Sequence, residues 1–263
     1  VTVSEAIAAS GIDAREARLL LAEVCGFSQA SLIASPDQDI PFEVENAFFE
    51  FTERRKRGEP VAYILGRKEF YGLDLSVNPS VLVPRPETEL LVDLALERKP
   101  GSMLDLGTGS GAIAIAVKFK SPQTRVVAVE ADLSALVTAK RNAAKFNLGI
   151  DFRHGRWFAP VAGERFDLIV SNPPYIAAGD PHLDALRFEP PGALVSGPDG
   201  LDSIRDIAKG TPSHLNPGGW LLLEHGQGQD EAVRDLLAAA GLESIATWPD
   251  LAGIARVSGG KLE

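Results

Sequence analysis

The stretch that most constrains this chain is Met103-Leu104-Asp105-Leu106-Gly107-Thr108-Gly109-Ser110-Gly111-Ala112-Ile113-Ala114-Ile115-Ala116. A short apolar strand runs into three alternate glycines and then into an apolar helix. Glycine lets the backbone turn sharply and lets a ligand approach with no Cβ in the way. The pattern that follows repeats the theme. Residues 125–130 read as a strand, 133–146 as a helix, 166–170 and 220–224 as strands, and 231–240 as a helix. Strand and helix alternate, which implies an α/β fold with a mostly parallel sheet covered on both faces. In such sheets ligands bind beyond the carboxyl ends of the strands, so the residues at those ends are the candidates for function.

The first third of the chain is different. Thr2 and Glu5 have capping-box spacing, and Asp13 and Glu16 repeat it. Ala17, Leu20, Leu21 and Val24 follow at helical spacing, with Gly26 as a natural stop. Pro41 suits a first helical turn, and Val44, Phe48 and Phe51 continue with the same period. The basic run Arg54-Arg55-Lys56-Arg57 suits a helix end and reads as a solvated face. Leu73, Leu75 and Val77 alternate as a strand does. The expected organisation is a small helical domain at 1–69, a β-hairpin linker at 70–84, and an α/β domain at 85–263.

Bulk properties narrow the function. With 45% hydrophobic and 24% charged residues, the 263-residue chain has ample core for one large or two modest domains. Its formal net charge of −10 counts against a grip on nucleic-acid phosphates. The single cysteine, Cys25, allows no internal disulfide and reads as an inert buried thiol. The four histidines show no metal-ligand spacing, so no metal is expected. No apolar run approaches the roughly 20 residues of a membrane span, and no signal peptide is recognised, which makes the cytoplasm the expected location.

Two further strand ends carry chemistry. Glu130 closes the strand after the glycine turn, where a carboxylate can accept hydrogen bonds from both hydroxyls of a ribose. With Ala at position 112, the turn departs from the dinucleotide G-x-G-x-x-G pattern and fits another nucleoside better. Asn172-Pro173-Pro174-Tyr175 closes the strand at 166–170. A planar amide or aryl amine is a poor nucleophile because its lone pair is delocalised. The Asn172 side-chain oxygen and the Pro173 carbonyl can accept its two N–H bonds and return electron density to nitrogen. The prolines aim that carbonyl in advance, and Tyr175 offers a flat face. The stretch therefore reads as a clamp for a planar amide or amine.

Asp105, the glycines and Glu130 together resemble the S-adenosyl-L-methionine site of class I methyltransferases. Beyond that, "GEPVAYILGRKEFYGLDL", "VLVPRPETELLV", "DLGTGSGAIAIA", "SNPPYI", "RFEPPGAL" and "LLLEHG" make the chain similar, nearly end to end, to the PrmC/HemK family of release-factor glutamine N5-methyltransferases. The resemblance implies methyl transfer from S-adenosyl-L-methionine, leaving S-adenosyl-L-homocysteine, to the glutamine of the Gly-Gly-Gln motif of peptide-chain release factors. It implies that Asp105, Gly107, Thr108, Gly109, Ser110, Gly111, Glu130, Trp157 and Asn172 hold the cofactor, with Trp157 flanking the adenine. Asn172, Pro173, Pro174, Tyr175 and Arg85 would hold the substrate glutamine, and Glu87 lies in the same segment. The helical domain would help dock the protein substrate, and a monomer is expected.

Two departures from the family pattern stand out. Arg156 occupies a position where Asp is common and can accept from the adenine amino group; Arg is a donor only. The tail "DLAGIARVSGG" has Ile254 and Ala255 where the family carries charged residues. Two rival readings remain open at this stage. One is a nucleic-acid methyltransferase of the adenine-N6 type, which faces the same chemical problem but would need to bring a base into the pocket. The other is a non-catalytic binding protein that keeps the fold and acts as a ribosome-associated or scaffolding subunit, a reading that absence of cofactor binding would support.

Overall fold

In the computed structural model, which describes residues 1–263, the chain divides into two units, Val1–Arg67 and Lys68–Glu263. The first holds five helices: α1 Val3–Ala9, α2 Ala14–Cys25, α3 Gln29–Ala34, α4 Phe42–Lys56 and α5 Val61–Leu65. Thr2 and Glu5 form the expected capping box, and the Asp13 carboxylate accepts from the N–H groups of Arg15 and Glu16. Gly26 ends α2 in the left-handed region. Pro41 is the residue before α4, so its fixed φ guides the approach to the helix. Leu20, Leu21, Leu32, Phe48 and Ile64 form the core of this unit. The basic run is paired within the unit: Arg54 with Glu59 at 2.5 Å, Arg55 with Glu16 at 2.7 Å and Lys56 with Glu53 at 2.8 Å. Cys25 is half-buried, not enclosed, and burial pushes its thiol pKa up.

The second unit begins with a hairpin, β1 Arg67–Phe70 and β2 Leu73–Ser76. Tyr71 and Gly72 both have positive φ, as a two-residue hairpin turn requires. A seven-stranded sheet follows. In chain order its elements are α6 Glu89–Glu97, β3 Ser102–Leu106, α7 Ala112–Lys120, β4 Arg125–Glu130, α8 Leu133–Lys145, β5 Asp151–His154, β6 Phe166–Ser171, α9 Asp202–Gly210, β7 Leu215–Glu224, α10 Asp230–Ala239, β8 Glu243–Pro249 and β9 Ala255–Lys261. The strand order is β5-β4-β3-β6-β7-β9-β8. The first five strands pair in parallel, and β9 and β8 close the edge antiparallel. This is the class I methyltransferase arrangement.

Alternation along the strands explains the layers. Met103, Ala128, Leu168, Val170 and Leu222 face one way, into a core shared with α6, α7 and the hairpin. Leu104, Leu106, Val127, Ile169 and Leu221 face the other way, against α9 and α10. The order reverses at β3, which lies between β4 and β6. The carboxyl ends of these three strands therefore open on one crevice. No helix is long and apolar enough to cross a membrane.

One buried side chain ties the hairpin to the glycine turn. Asn142 of α8 is fully buried. Its oxygen accepts from the Ser76 N–H at 2.8 Å, and its nitrogen donates to the carbonyls of Ser76 and Ser110, both at 2.9 Å. The amide thus acts as a strand partner for β2. Replacing it strands three backbone groups, and each unsatisfied buried group costs about 1–3 kcal/mol. Asn142→Ala should therefore lower the urea-unfolding free energy of this unit by about 2–4 kcal/mol. A loss under half a kilocalorie, measured at equilibrium, would show that water replaces the amide.

Candidate active site

The glycine turn is built by saturating its own backbone. The N–H groups of Gly107 and Thr108 both donate to the Val129 carbonyl of β4, at 2.9 and 3.0 Å. The Gly109 N–H donates to Glu130 Oε2 at 2.8 Å, and the Asp132 N–H to Glu130 Oε1 at 2.9 Å. Glu130 is thus fixed by one backbone donor on each oxygen, with lone pairs left over on both. Gly109 has φ +56°, and a Cβ there would meet nothing within 4 Å. Gly111 sits at φ +85°, a left-handed conformation that strains a residue with a side chain, and a Cβ there would also crowd Ile115 and Ala139.

Asp105 lies beneath this turn and is fully buried. One oxygen accepts from Thr108 Oγ1 at 2.6 Å, and the other, Oδ1, has no partner. Burial pushes its carboxyl up to about 7, opposed by the Thr108 hydrogen bond.

A cleft of about 740 Å³ opens above the turn. Gly107, Thr108, Gly109, Ser110, Glu130, Arg156, Trp157, Asn172, Pro174 and Arg85 line it. Asp105 and Gly111 do not; they support the turn from below. Trp157 is held at φ +48°, a region that costs a non-glycine residue about 1–3 kcal/mol. Its indole Nε1 is buried without a partner. Arg156 lines the cleft, but its guanidinium pairs with Asp206 at 3.3 Å and lies 5.5 Å from the Trp157 ring centroid.

A second cavity of about 260 Å³ adjoins the first. Pro173, Tyr175, Ile176, Leu186 and Leu194 line it, while Leu82, Arg85, Asn172 and Ala193 border both cavities. Asn172 therefore stands at their junction. Its Nδ2 donates to Thr88 Oγ1 at 3.1 Å, while its Oδ1 is buried with no partner. Ser171, the preceding residue, anchors the tip through a 2.6 Å bond from its hydroxyl to the Leu106 carbonyl of β3.

Four supporting residues, Glu189, Gln229, Thr88 and Glu224, are not singled out by the sequence analysis, although all but Gln229 lie within segments that carry the resemblance. Glu189, almost fully buried, accepts from the Val83 N–H at 3.0 Å and pairs with Arg85. It joins the "VLVPRPE" and "RFEP" segments. Gln229 donates to the Tyr175 carbonyl at 3.0 Å and fixes the loop after the prolines. Thr88 and Glu224 lie behind Asn172. Glu224 is 1% exposed, and the Tyr175 hydroxyl reaches its Oε1 at 3.4 Å. Burial pushes the Glu224 carboxyl up to about 7, opposed by Thr88, Tyr175 and Arg256. Burial and that same carboxylate raise the Tyr175 phenol. Thr88 and Glu224 lie inside the quoted segments "VLVPRPETELLV" and "LLLEHG", as polar residues among apolar ones.

Residues 86–187 match the family described as Methyltransferase small domain, and residues 3–66 match the PrmC N-terminal domain. The chain is 48% identical to the release factor glutamine methyltransferase of Xylella fastidiosa (strain Temecula1), over 97% of this chain and 96% of that protein. It is 46% identical to the protein of the same name from Neisseria gonorrhoeae, over 99% and 98%. Among solved structures, a methyltransferase from Pyrococcus furiosus superposes with a TM-score of 0.58 at 21% identity, covering 81% of this chain and 98% of that one. That likeness concerns the fold alone.

The elevated carboxyl of Asp105 makes a prediction for stability. Its folded pKa of about 7 lies above the ordinary range of an aspartate, so the protonated form is favoured in the folded state. Its contribution is fully present below pH 4 and is lost as pH rises to 7. A rise of that size is worth about 4 kcal/mol at most. Asp105→Asn, which keeps an acceptor for Thr108, should remove that share of the pH dependence. Urea unfolding at pH 4.5 and 7.5 should show the variant gaining on the parent chain at the higher pH. An unchanged difference between the two pH values would mean that Asp105 is not held neutral.

Proposed function

The chain belongs to the release factor glutamine methyltransferase family, and on that premise we propose that it methylates the side-chain amide N5 of the glutamine in the Gly-Gly-Gln motif of peptide-chain release factors. The observation that carries this reading is the Asn172 oxygen, buried without a partner at the junction of two cavities. An amide acceptor left unpaired at such a point suits a donor brought by a substrate.

The residues present fit S-adenosyl-L-methionine in the larger cleft. Gly109 leaves open space where a side chain would intrude, Glu130 keeps lone pairs for two ribose hydroxyls, and the Trp157 ring suits one face of an adenine. Gly107, Thr108 and Ser110 complete that wall, with Asp105 and Gly111 shaping it from beneath. When bound, S-adenosyl-L-methionine supplies an electrophilic sulfonium methyl group and leaves as S-adenosyl-L-homocysteine.

The smaller cavity takes the glutamine side chain. Asn172 Oδ1 accepts one of its amide N–H bonds and the Pro173 carbonyl the other. Both acceptors push electron density onto nitrogen and hold it in line, which replaces orientational entropy with fixed geometry. Tyr175 packs on the planar amide, and Pro174 keeps the clamp rigid. The nitrogen becomes acidic as its new bond forms, so its proton departs to solvent afterwards and no strong base is needed. Arg85, held by Glu189, borders both cavities and shapes the acceptor side. In this reading residues 1–69 dock the release factor, 70–84 link, and 85–263 carry the chemistry in a cytoplasmic monomer.

Mass spectrometry of a release factor incubated with the protein and S-adenosyl-L-methionine should show one methyl group on the Gly-Gly-Gln glutamine. A Gln→Ala substrate and a DNA duplex should show none; label on the duplex alone would reverse the assignment. Asn172→Ala should lower kcat on the order of a hundredfold. Glu130→Ala should instead weaken cofactor affinity by roughly 10- to 100-fold, since hydrogen bonds to a carboxylate are worth about 1.5–3 kcal/mol. Near-normal turnover or affinity, respectively, would remove each residue from its role.

A further inference from the structure

We propose that Thr88 and Glu224 are positioning residues that decide which end of the Asn172 amide faces the acceptor cavity. The inference rests on the reading of Asn172 as an acceptor. A primary amide has two ends of nearly equal size, and its terminal torsion is broad. Turned the other way, Asn172 would offer an NH2 group to the NH2 group of the substrate, and the clamp would repel what it must hold.

A hydroxyl alone does not settle the matter, because it both donates and accepts. Facing Asn172, Thr88 Oγ1 could receive a proton from Nδ2 or give one to Oδ1. The outcome depends on where the Thr88 proton goes. The register of β6 on β7 pairs Ser171 with Leu223, which brings the next residues, Asn172 and Glu224, side by side. Thr88 is 4% exposed and interacts with the Glu224 carboxylate, and Glu224 Oε2 is buried with no hydrogen-bond partner of its own. In its ionised form the Glu224 carboxylate only accepts. In that form it draws the Thr88 proton toward itself and leaves the Thr88 lone pairs to Asn172 Nδ2, 3.1 Å away. Direction passes along the row: Asn172 donates to Thr88, Thr88 turns its proton to Glu224, and Asn172 Oδ1 is left facing outward.

The Tyr175 hydroxyl, 3.4 Å from Glu224 Oε1, reaches the same carboxylate from the clamp itself. Arg256 on β9 adds positive charge and Glu87 negative charge around it. Glu224 thus links both ends of the Asn172–Tyr175 segment to one buried acceptor. Neither Thr88 nor Glu224 lines the smaller cavity, and Glu224 lines neither, so they act on the substrate amide through Asn172.

The test compares Thr88→Val, which keeps shape and loses the hydroxyl, with Thr88→Ser, which keeps the hydroxyl. Both are assayed on a release factor carrying the Gly-Gly-Gln motif. Thr88→Val should lower kcat about tenfold, the weight of one directed hydrogen bond, with the KM for S-adenosyl-L-methionine within about twofold. Thr88→Ser should restore most of the rate, which a role in packing alone would not require. In an Asn172→Ala background Thr88→Val should cost nothing more, because the group it orients is gone. Full activity of Thr88→Val beside an impaired Asn172→Ala would overturn the inference and leave the clamp standing. Additive losses in the double variant would also overturn it. Full activity of Asn172→Ala would overturn the clamp reading itself.

Discussion

The parallel pairing of β3 with β4 on one side and β6 on the other is the constraint on which the rest depends. Asp105 pairs in register with Ala128 and with Val170, so the three strands end together. Everything chemical hangs on those ends. The glycine turn follows β3, Glu130 closes β4, Asn172 follows β6, and Glu224 closes β7, which pairs with β6. A slip of one residue in any of these pairings would turn every apolar side chain of that strand to the wrong face. The two apolar cores therefore fix the geometry of the site.

The distribution of unsatisfied polar atoms makes the same point from energetics. Five buried side-chain atoms lack a partner: Arg98 Nε, Asp105 Oδ1, Trp157 Nε1, Asn172 Oδ1 and Glu224 Oε2. Four of them belong to the cleft wall or to the residues directly behind it. Native proteins tolerate few such atoms, and the left-handed Trp157 adds backbone strain in the same place. Two of the four belong to acids that burial raises to about 7. Elsewhere the unit closes its polar bonds carefully, as the three bonds of Asn142 show. The unsatisfied atoms are concentrated at the cleft wall, with Trp157 and Asn172, and directly behind it, with Asp105 and Glu224.

The strands that carry the site were legible because each is an apolar run that ends in an unusual residue. The glycine turn, Glu130 and the Asn-Pro-Pro-Tyr segment could be placed from pattern alone. The C-terminal hairpin was not. β9 contains Gly259 and Gly260, and glycine is depleted in strands, yet a Cβ on Gly259 would sit 2.6 Å from the Leu221 carbonyl. Glycine is there because neighbouring backbone comes close. β5 is short and carries Asp151, Arg153 and His154, so edge exposure hid it. The bonding roles of Asn142 and Thr88 were illegible for a different reason. Their partners lie 66 and 84 residues away in the chain, and no local period reports a bond of that span.

Arg156 stands where the resemblance leads one to expect Asp, and the geometry shows where its charge goes. A guanidinium aimed inward would place a donor against the adenine amino group, itself a donor. Here the charge is drawn outward: it pairs with Asp206 and lies over Trp157. Both contacts are exposed and individually weak, since surface pairs contribute about 0–1 kcal/mol. Together they leave the inner face of the cleft to the indole. In the proposed reading, adenine recognition then relies on stacking and shape, while Glu130 supplies the directional bonds at the ribose. Affinity would be shifted from the base to the sugar, which is why Glu130, with a backbone donor fixing each oxygen, is the better anchored of the two positions.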